Sequence, residues 1–383
     1  MRGACMDLNG AKRKVEALLF PRNVALDAIV ILSGGSPIET DEPAEKDSHI
    51  QRVKRRETMS YEPLRKFVFL FTMSWAIVTV PFAGPAFAQS MVKLKVGVLK
   101  VAGQTNAYVA QQQGFFKKRG LEVELINVRS GGEGVSAMQG GSLDMAITIP
   151  SFGIVANERG FGLVMVVQNQ SASPTPPDHA AIMVAIDSPI RSLKDLDGKV
   201  IGINALHAQE AVSAQHVIGK AGVPRQRLKY VEVSFPSMGD VLRRGDVAAV
   251  VPVAPFITGI EQRGIGRVLA WAYHGAVPAQ PTGAYWAKRN WVEANAKLID
   301  LYAAAIDEAN EYLLSDLGRA RVLVAQYTGL PSALVEAMPM INWTTKVDKA
   351  KWAALIAMLR AEGELEKDQR PEDFILSLMP VKR

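Results

Sequence analysis

Residues 107–134 read AYVAQQQGFFKKRGLEVELINVRSGGEG, and their order of signals decides the fold. Ala107 to Gly120 offers Tyr108, Val109, Phe115 and Phe116 as a packing face, and Gly120 is a helix stop. Residues 121–128 (LEVELINV) form a β-branched run that predicts a strand. Arg129-Ser130-Gly131-Gly132 then turns the chain with small side chains and bare amides. Helix, strand and turn in that order make the centre of a βαβ unit. Outward from it lie LKVGVL (94–99), DMAITI (144–149) and GLVMVVQ (162–168), further short strands separated by helix-like segments. A parallel α/β sheet is the expectation.

The pattern restarts after the Pro-rich stretch SPTPPDHA (173–180), with strands expected near 181–186, 199–203, 228–233, 247–251 and 267–272. GAVPAQPTGAYWAK (275–288) reads as a second crossing, followed by helical periodicity over Asn295–Leu314 and Lys349–Glu362. Two crossings, near 171–181 and 273–286, imply a paired hinge on which two lobes close. Residues 89–175 are assigned to the first part of lobe 1 and 176–280 to lobe 2. Residues 281–383 return to lobe 1, with C-terminal helices packed mainly on it.

Residues 67–80, FVFLFTMSWAIVTV, are too short an apolar run to span a bilayer, which takes about 20 residues. Arg65 and Lys66 precede the run, Pro81, Gly84 and Pro85 break it, and Ala86-Phe87-Ala88 has the small-x-small cleavage pattern. Residues 59–88 therefore read as a signal peptide cleaved after Ala88. Residues 1–58 read as an upstream extension before the true start at Met59, and the mature chain is expected in the periplasm.

Composition narrows the function. The 383 residues are 48% hydrophobic and 21% charged, with a mean hydropathy of +0.07, which allows at most one membrane segment. The net charge of +6 is dispersed, with one dense cluster at Lys54, Arg55 and Arg56, so no nucleic-acid partner is expected. The single cysteine, Cys5, excludes an intramolecular disulfide, a thiolate zinc site or cysteine catalysis beyond that position. Neither a metal nor a cofactor is expected.

In open α/β sheets ligands bind outside the carboxyl ends of the strands, and helix N-termini aimed at one cleft favour an anion. Five junctions supply candidates: Gln104, Thr105 and Asn106; Arg129, Ser130, Gly131 and Gly132; Pro150, Ser151 and Phe152; Leu206 and His207; Pro255 and Phe256. Arg129 is either the cation that clamps an anion or a surface arginine at a strand end. His207 donates to a ligand or caps a helix. Trp271 and Tyr273 form an aromatic wall or belong to the core.

Several longer stretches carry a resemblance: GFFKKRGLEVELINVRSGGEG (114–134), AMQGGSLDMAIT (137–148), DSPIRSLKDLDGKVIGIN (187–204), LRRGDVAAVVPVAPF (242–256) and AIDEANEYL (305–313). Together they resemble the periplasmic solute-binding proteins of ABC importers for nitrate, aliphatic sulfonates, taurine and thiamine-pyrimidine precursors (NitT/TauT-like). The resemblance implies a type II periplasmic binding fold, with two α/β lobes around a ligand cleft. It also implies a monomer that delivers a small-molecule ligand to permease and ATPase subunits. Many relatives carry an acidic residue where this chain has Ala254, which disfavours an ammonium-bearing ligand and favours an organic anion, a sulfonate or carboxylate with an apolar or aromatic body. The alternatives are a periplasmic sensor module for a signalling partner and a thiamine-pyrimidine precursor binder.

Enzyme motifs give little. Gly132-x-Gly134-x-x-Ala137 fits the dinucleotide spacing, but Ile149, Pro150 and Ser151 supply no acid for a ribose, and it reads as an anion-binding turn. The fungal pyrimidine synthases of similar fold use a cysteine-rich iron segment that this chain lacks. HExxH, GxSxG and GxxxxGKS patterns do not occur, and the chain is expected to bind rather than catalyse.

Overall fold

Gly120 adopts φ +72°, a left-handed conformation nearly free of cost only to glycine, and so closes the short 3-10 turn Lys117–Arg119 and feeds the next strand, whereas the helix expected to run up to Gly120 already ends at Gln112. The computed structural model describes residues 91–375. The expected upstream extension and signal peptide lie outside the described residues. The chain begins β1 (Val92–Val98), α1 (Thr105–Gln112), β2 (Leu121–Asn127), α2 (Gly131–Gln139), β3 (Met145–Thr148), α3 (Pro150–Glu158) and β4 (Leu163–Ser171). It crosses to β5 (Ala181–Ala185), β6 (Val200–Ile203), α4 (Gln209–Lys220), β7 (Lys229–Glu232), α5 (Met238–Arg244), β8 (Ala249–Val250), α6 (Phe256–Gln262) and β9 (Gly266–Trp271). Helix α7 (Ala272–Ala276) leads back to β10 (Pro281–Lys288), α8 (Arg289–Ala294), α9 (Ala296–Leu314) and α10 (Leu317–Thr328). The described chain closes with α11 (Ser332–Ala337), β11 (Asn342–Trp343) and α12 (Lys349–Ala361).

Two sheets result. The first has the order β11-β4-β10-β3-β1-β2, with β1 parallel to β2 and β3 and with β10 antiparallel to both its neighbours. The second runs β7-β6-β8-β5-β9, with β6 parallel to β7 and β8 and with β5 antiparallel to β8 and β9. Strand β10 departs from the sequence expectation, which placed 275–288 in a crossing. Every residue from Pro281 to Ala287 is buried, so the strand is covered on both faces and shows no apolar alternation.

Apolar burial explains the layers. On lobe 1, α9 presents Tyr302, Ile306 and Ala309 to the first sheet, and Tyr302 stacks on Phe116 at 5.1 Å. On lobe 2, Met183 and Val250 meet Met238, Leu242 and Ile260 from α5 and α6. A further apolar cluster is continuous across both lobes, joining Trp286, Trp352 and Phe374 to Ile182, Ile201 and Ile203. Helix α12 belongs to that bridge, packing against β10 and against α4. The C-terminal helices were expected mainly on lobe 1; α12 instead sits between the lobes because Trp352 and Leu355 continue the shared apolar cluster.

Candidate functional site

Two helices of the first lobe start side by side at strand ends. Ser130 caps α2 by accepting from the Glu133 amide (3.1 Å), while the Gly131 and Gly132 amides have no backbone partner among the described residues. Pro150 opens α3 at its first position, where a missing N–H costs nothing. Between these helix starts lie the hydroxyls of Thr148 and Ser151. Both residues are at most 3% exposed, and among the described residues neither hydroxyl has a hydrogen-bond partner. The fit is close: a Cβ on Gly131 would stand 2.0 Å from Thr148 Oγ1 and 3.0 Å from Phe152 Cδ2. Only glycine lets α2 approach β3 this far.

Buried hydroxyls without partners are costly unless something else satisfies them. Two donors beside two positive helix ends fit an oxyanion, which accepts several hydrogen bonds at once. In the second lobe, Phe256 opens α6 after β8 and stacks on Phe235, which follows β7, at 5.6 Å and 18°. That pair is half-buried and offers an apolar face at the strand ends of lobe 2.

The lobes touch at several points. The Ser151 amide donates to Gln209 Oε1 (3.3 Å) at the start of α4, and Gln209 Nε2 donates to Gln280 Oε1 (2.9 Å) and to the Pro281 carbonyl (2.7 Å). On α6, a Cβ at Gly259 would stand 3.8 Å from Leu334 Cδ1 of α11. Asp178 ties the crossings together. Its carboxylate accepts from the Ser173 and His179 amides of the first crossing (3.3 and 2.7 Å) and from the His274 amide of the second (2.7 Å). Burial works to raise its pKa, but the contacts with His179 and the amides outweigh it and hold the carboxyl below its ordinary range.

Glu210, in the first turn of α4, has the opposite environment. It is 4% exposed, its carboxyl is relieved only by its own amide, and burial raises its pKa to about 7. Tyr273 packs edge-on to His179 at 5.1 Å, and burial first, then the charges of Glu210 and Asp178, pushes its hydroxyl well above the usual range.

The structure sorts the sequence-derived residues. Gly131 lies against Thr148 and Phe152, Gly132 follows it in the first turn of α2, and Ser151 stands in the first turn of α3, with Ser130 and Pro150 shaping the two helix starts. Gln104, Thr105 and Asn106 turn their side chains inward instead. Gln104 Oε1 accepts from the Leu99 amide (2.6 Å), Thr105 donates to the Ala102 carbonyl (2.9 Å), and Asn106 donates to Asn169 (2.7 Å) and Asn310 (2.8 Å). These atoms hold α1 on the sheet and are not free for a ligand. Arg129 is 92% exposed at its side chain and folds back on Glu133 at 3.1 Å, so the clamp reading gives way to a surface ion pair. His207 also departs from the ligand role: its Nδ1 lies 2.6 Å from Glu364, and its side chain is 62% exposed. Leu206 is exposed, and its amide donates to Glu232 (2.8 Å). Both line a cavity of about 460 Å³ that also reaches Gln215, Arg225, Tyr230 and Glu364 at the edge of lobe 2. Pro255 precedes Phe256 and is buried. Tyr273 belongs to the core, and Trp271 is half-buried at the end of β9.

Sequence reasoning missed Thr148, Asp178, Gln209, Glu210 and Phe235. Thr148 ends a strand two residues before Pro150 of a helix start, a position that deserved reading with Ser151. Asp178 closes a Pro-rich crossing, where a carboxylate suits loose backbone amides.

Residues 102–318 match the family described as NMT1/THI5 like. A curated Escherichia coli (strain K12) protein named for binding aliphatic sulfonates is 25% identical over 249 residues, covering 63% of this chain and 73% of that one. The crystal structure of the periplasmic aliphatic sulphonate binding protein SsuA from Escherichia coli superposes with a TM-score of 0.63 at 20% identity, over 74% of this chain and 91% of that one. The alkanesulfonate-binding protein SsuA from Xanthomonas axonopodis pv. citri, bound to MOPS, gives 0.60 at 20% identity, over 72% and 94%. These structures establish the fold, that of two-lobed periplasmic binding proteins. With the family match covering more than half of its length, the chain belongs to the NMT1/THI5-like family.

Proposed function

We propose that this protein captures a small organic anion, a sulfonate or carboxylate with an apolar or aromatic body, between its lobes. It then delivers the ligand to the permease and ATPase of an ABC-type importer. The observation that carries the reading is the pair of unpartnered, buried hydroxyls of Thr148 and Ser151 at the adjacent N-termini of α2 and α3. An oxyanion placed there takes hydrogen bonds without the desolvation cost of a buried side-chain cation. The stacked Phe235 and Phe256 suit an apolar body. The names of the sulfonate-binding relatives support both the ligand class and binding without chemical transformation, and they support a periplasmic location.

For the closing motion we divide the chain as residues 89–175 and 281–383 for lobe 1 and 176–280 for lobe 2. Closure on a ligand shifts the population toward the closed arrangement, and a single chain suffices for it. The test is calorimetric titration and thermal shift of the protein with MOPS, methanesulfonate, nitrate, benzoate and a pyrimidine. A ligand at 100 times its Kd adds about 2.7 kcal/mol of stability. Saturable binding confined to sulfonates or carboxylates is expected; binding of the pyrimidine with none of the anions refutes the reading.

A further inference from the structure

We propose that residues 362–375, beyond the family match, form a third connection between the lobes, a strap whose carboxylates latch lobe 2 and set how readily the lobes part. At one end the strap grips lobe 2. Glu362 receives Gln215 Nε2 (2.7 Å) and lies 2.8 Å from His216 Nδ1, both on α4. Glu364 lies 2.6 Å from His207 and 3.9 Å from Arg225. The two carboxylate side chains are only 13% and 6% exposed, whereas their ion-pair partners range from 20% at His216 to 62% at His207.

At its other end the strap is fixed to lobe 1. Glu158 Oε1, at the end of α3, accepts from the amides of Glu366 (2.6 Å) and Lys367 (2.7 Å), and Gln369 donates to the Ile154 carbonyl (3.3 Å). The Met165 amide of β4 donates to the Phe374 carbonyl (2.9 Å), and the buried Phe374 ring packs on Trp286 and Trp352.

The spacing of the two anchors carries the argument. Glu364 is held by lobe 2 and Glu366 by lobe 1, and two residues span about 7 Å when fully extended. Parting of the lobes at this edge by more than a few Å therefore releases one anchor. Within the strap the lobe 1 end includes the fully buried Phe374 ring, whereas the lobe 2 end, next to the apolar packing of α12 on α4, is made of side-chain hydrogen bonds and ion pairs, so these carboxylate contacts are the part of the strap that lets go first. Breaking it shifts the open-to-closed ratio.

The sequence makes the measurement clean, because Cys5 is the only cysteine. In the full chain carrying Cys5→Ser, spin labels are placed at Glu124→Cys on β2 and Lys229→Cys on β7, both exposed. Pulsed dipolar spectroscopy reads the inter-lobe distance without any solute, so its outcome is separate from the ligand reading. Adding Glu362→Gln and Glu364→Gln is expected to raise the ratio of long to short distances about fivefold, the sum of two modest ion-pair contacts. Glu366→Gln, whose amide but not side chain anchors the strap, is expected to leave the distribution unchanged. Superimposable distributions for the double variant and its parent, or equal shifts in both variants, overturn the proposal. If circular dichroism shows the double variant unfolded, His216→Gln breaks one latch from the lobe 2 side, and an unchanged distribution there overturns it equally.

Discussion

Replacing Glu210 by Gln should stabilise this protein above neutral pH and have little effect in acid. The side chain is 4% exposed in the first turn of α4, and no group other than its own amide relieves its charge. Its pKa rises from 4.5 to about 7 because burial penalises the carboxylate. A carboxyl whose folded pKa exceeds its unfolded one binds more protons in the native state. Its protonated form therefore costs nothing below about pH 4.5, and stability falls as pH climbs from there through about 7. Each pKa unit is worth about 1.4 kcal/mol, so the gap amounts to roughly 3 kcal/mol, fully expressed above pH 8. Glutamine keeps the volume and imitates the protonated acid. Urea unfolding at intervals from pH 4.5 to 8.5 should give two curves that meet near the acid end and diverge by up to about 3 kcal/mol at the alkaline end. Asp178 does not disturb the comparison, since its depressed pKa acts at lower pH and is common to both proteins. Parallel curves, or a variant less stable than its parent at pH 8, would refute the assignment of an unrelieved buried carboxyl at this position.

Other substitutions separate ligand contact from support. Thr148→Val, which removes an unpartnered hydroxyl at constant shape, should weaken binding of the anion identified by titration about tenfold with no loss of Tm. Gly131→Ala forces a methyl group against Thr148 and should cost about 1–3 kcal/mol in stability as well as binding, read by urea unfolding and calorimetry. Asn106→Ala leaves the carbonyls of Asn169 and Asn310 without their donor, and a drop of about 1–3 kcal/mol in unfolding free energy is expected. Arg129→Ala should leave Kd within about twofold, because its partner is Glu133 at the surface; a tenfold loss would return Arg129 to the site.

The contrast between Gly131 and Asn106 shows where sequence stops being informative. Strand β2 announces itself because LEVELINV has one buried face and the run is bounded by Gly120 and Gly131, so its period and punctuation are both local. Strand β10 is one residue longer but is covered on both faces, and a mix of Gly, Ala, Tyr and Trp there has no alternation to read. The site divides in the same way. Helix starts at strand ends can be found from Ser130-Gly131 and Pro150-Ser151, since capping and glycine turns are local chemistry. What a polar side chain does after it reaches that junction is not local. Asn106 and Ser151 look equivalent in sequence, yet Asn106 meets Asn310, 204 residues further on, whereas the Ser151 hydroxyl meets nothing. Satisfaction by a distant partner removes a group from ligand contact, and that partner is chosen by tertiary packing. The same holds for Glu210. A glutamate in the first turn of a helix is an ordinary stabilising choice, and only tertiary packing around α4, where α7 brings Tyr273 near, turns it into a buried acid.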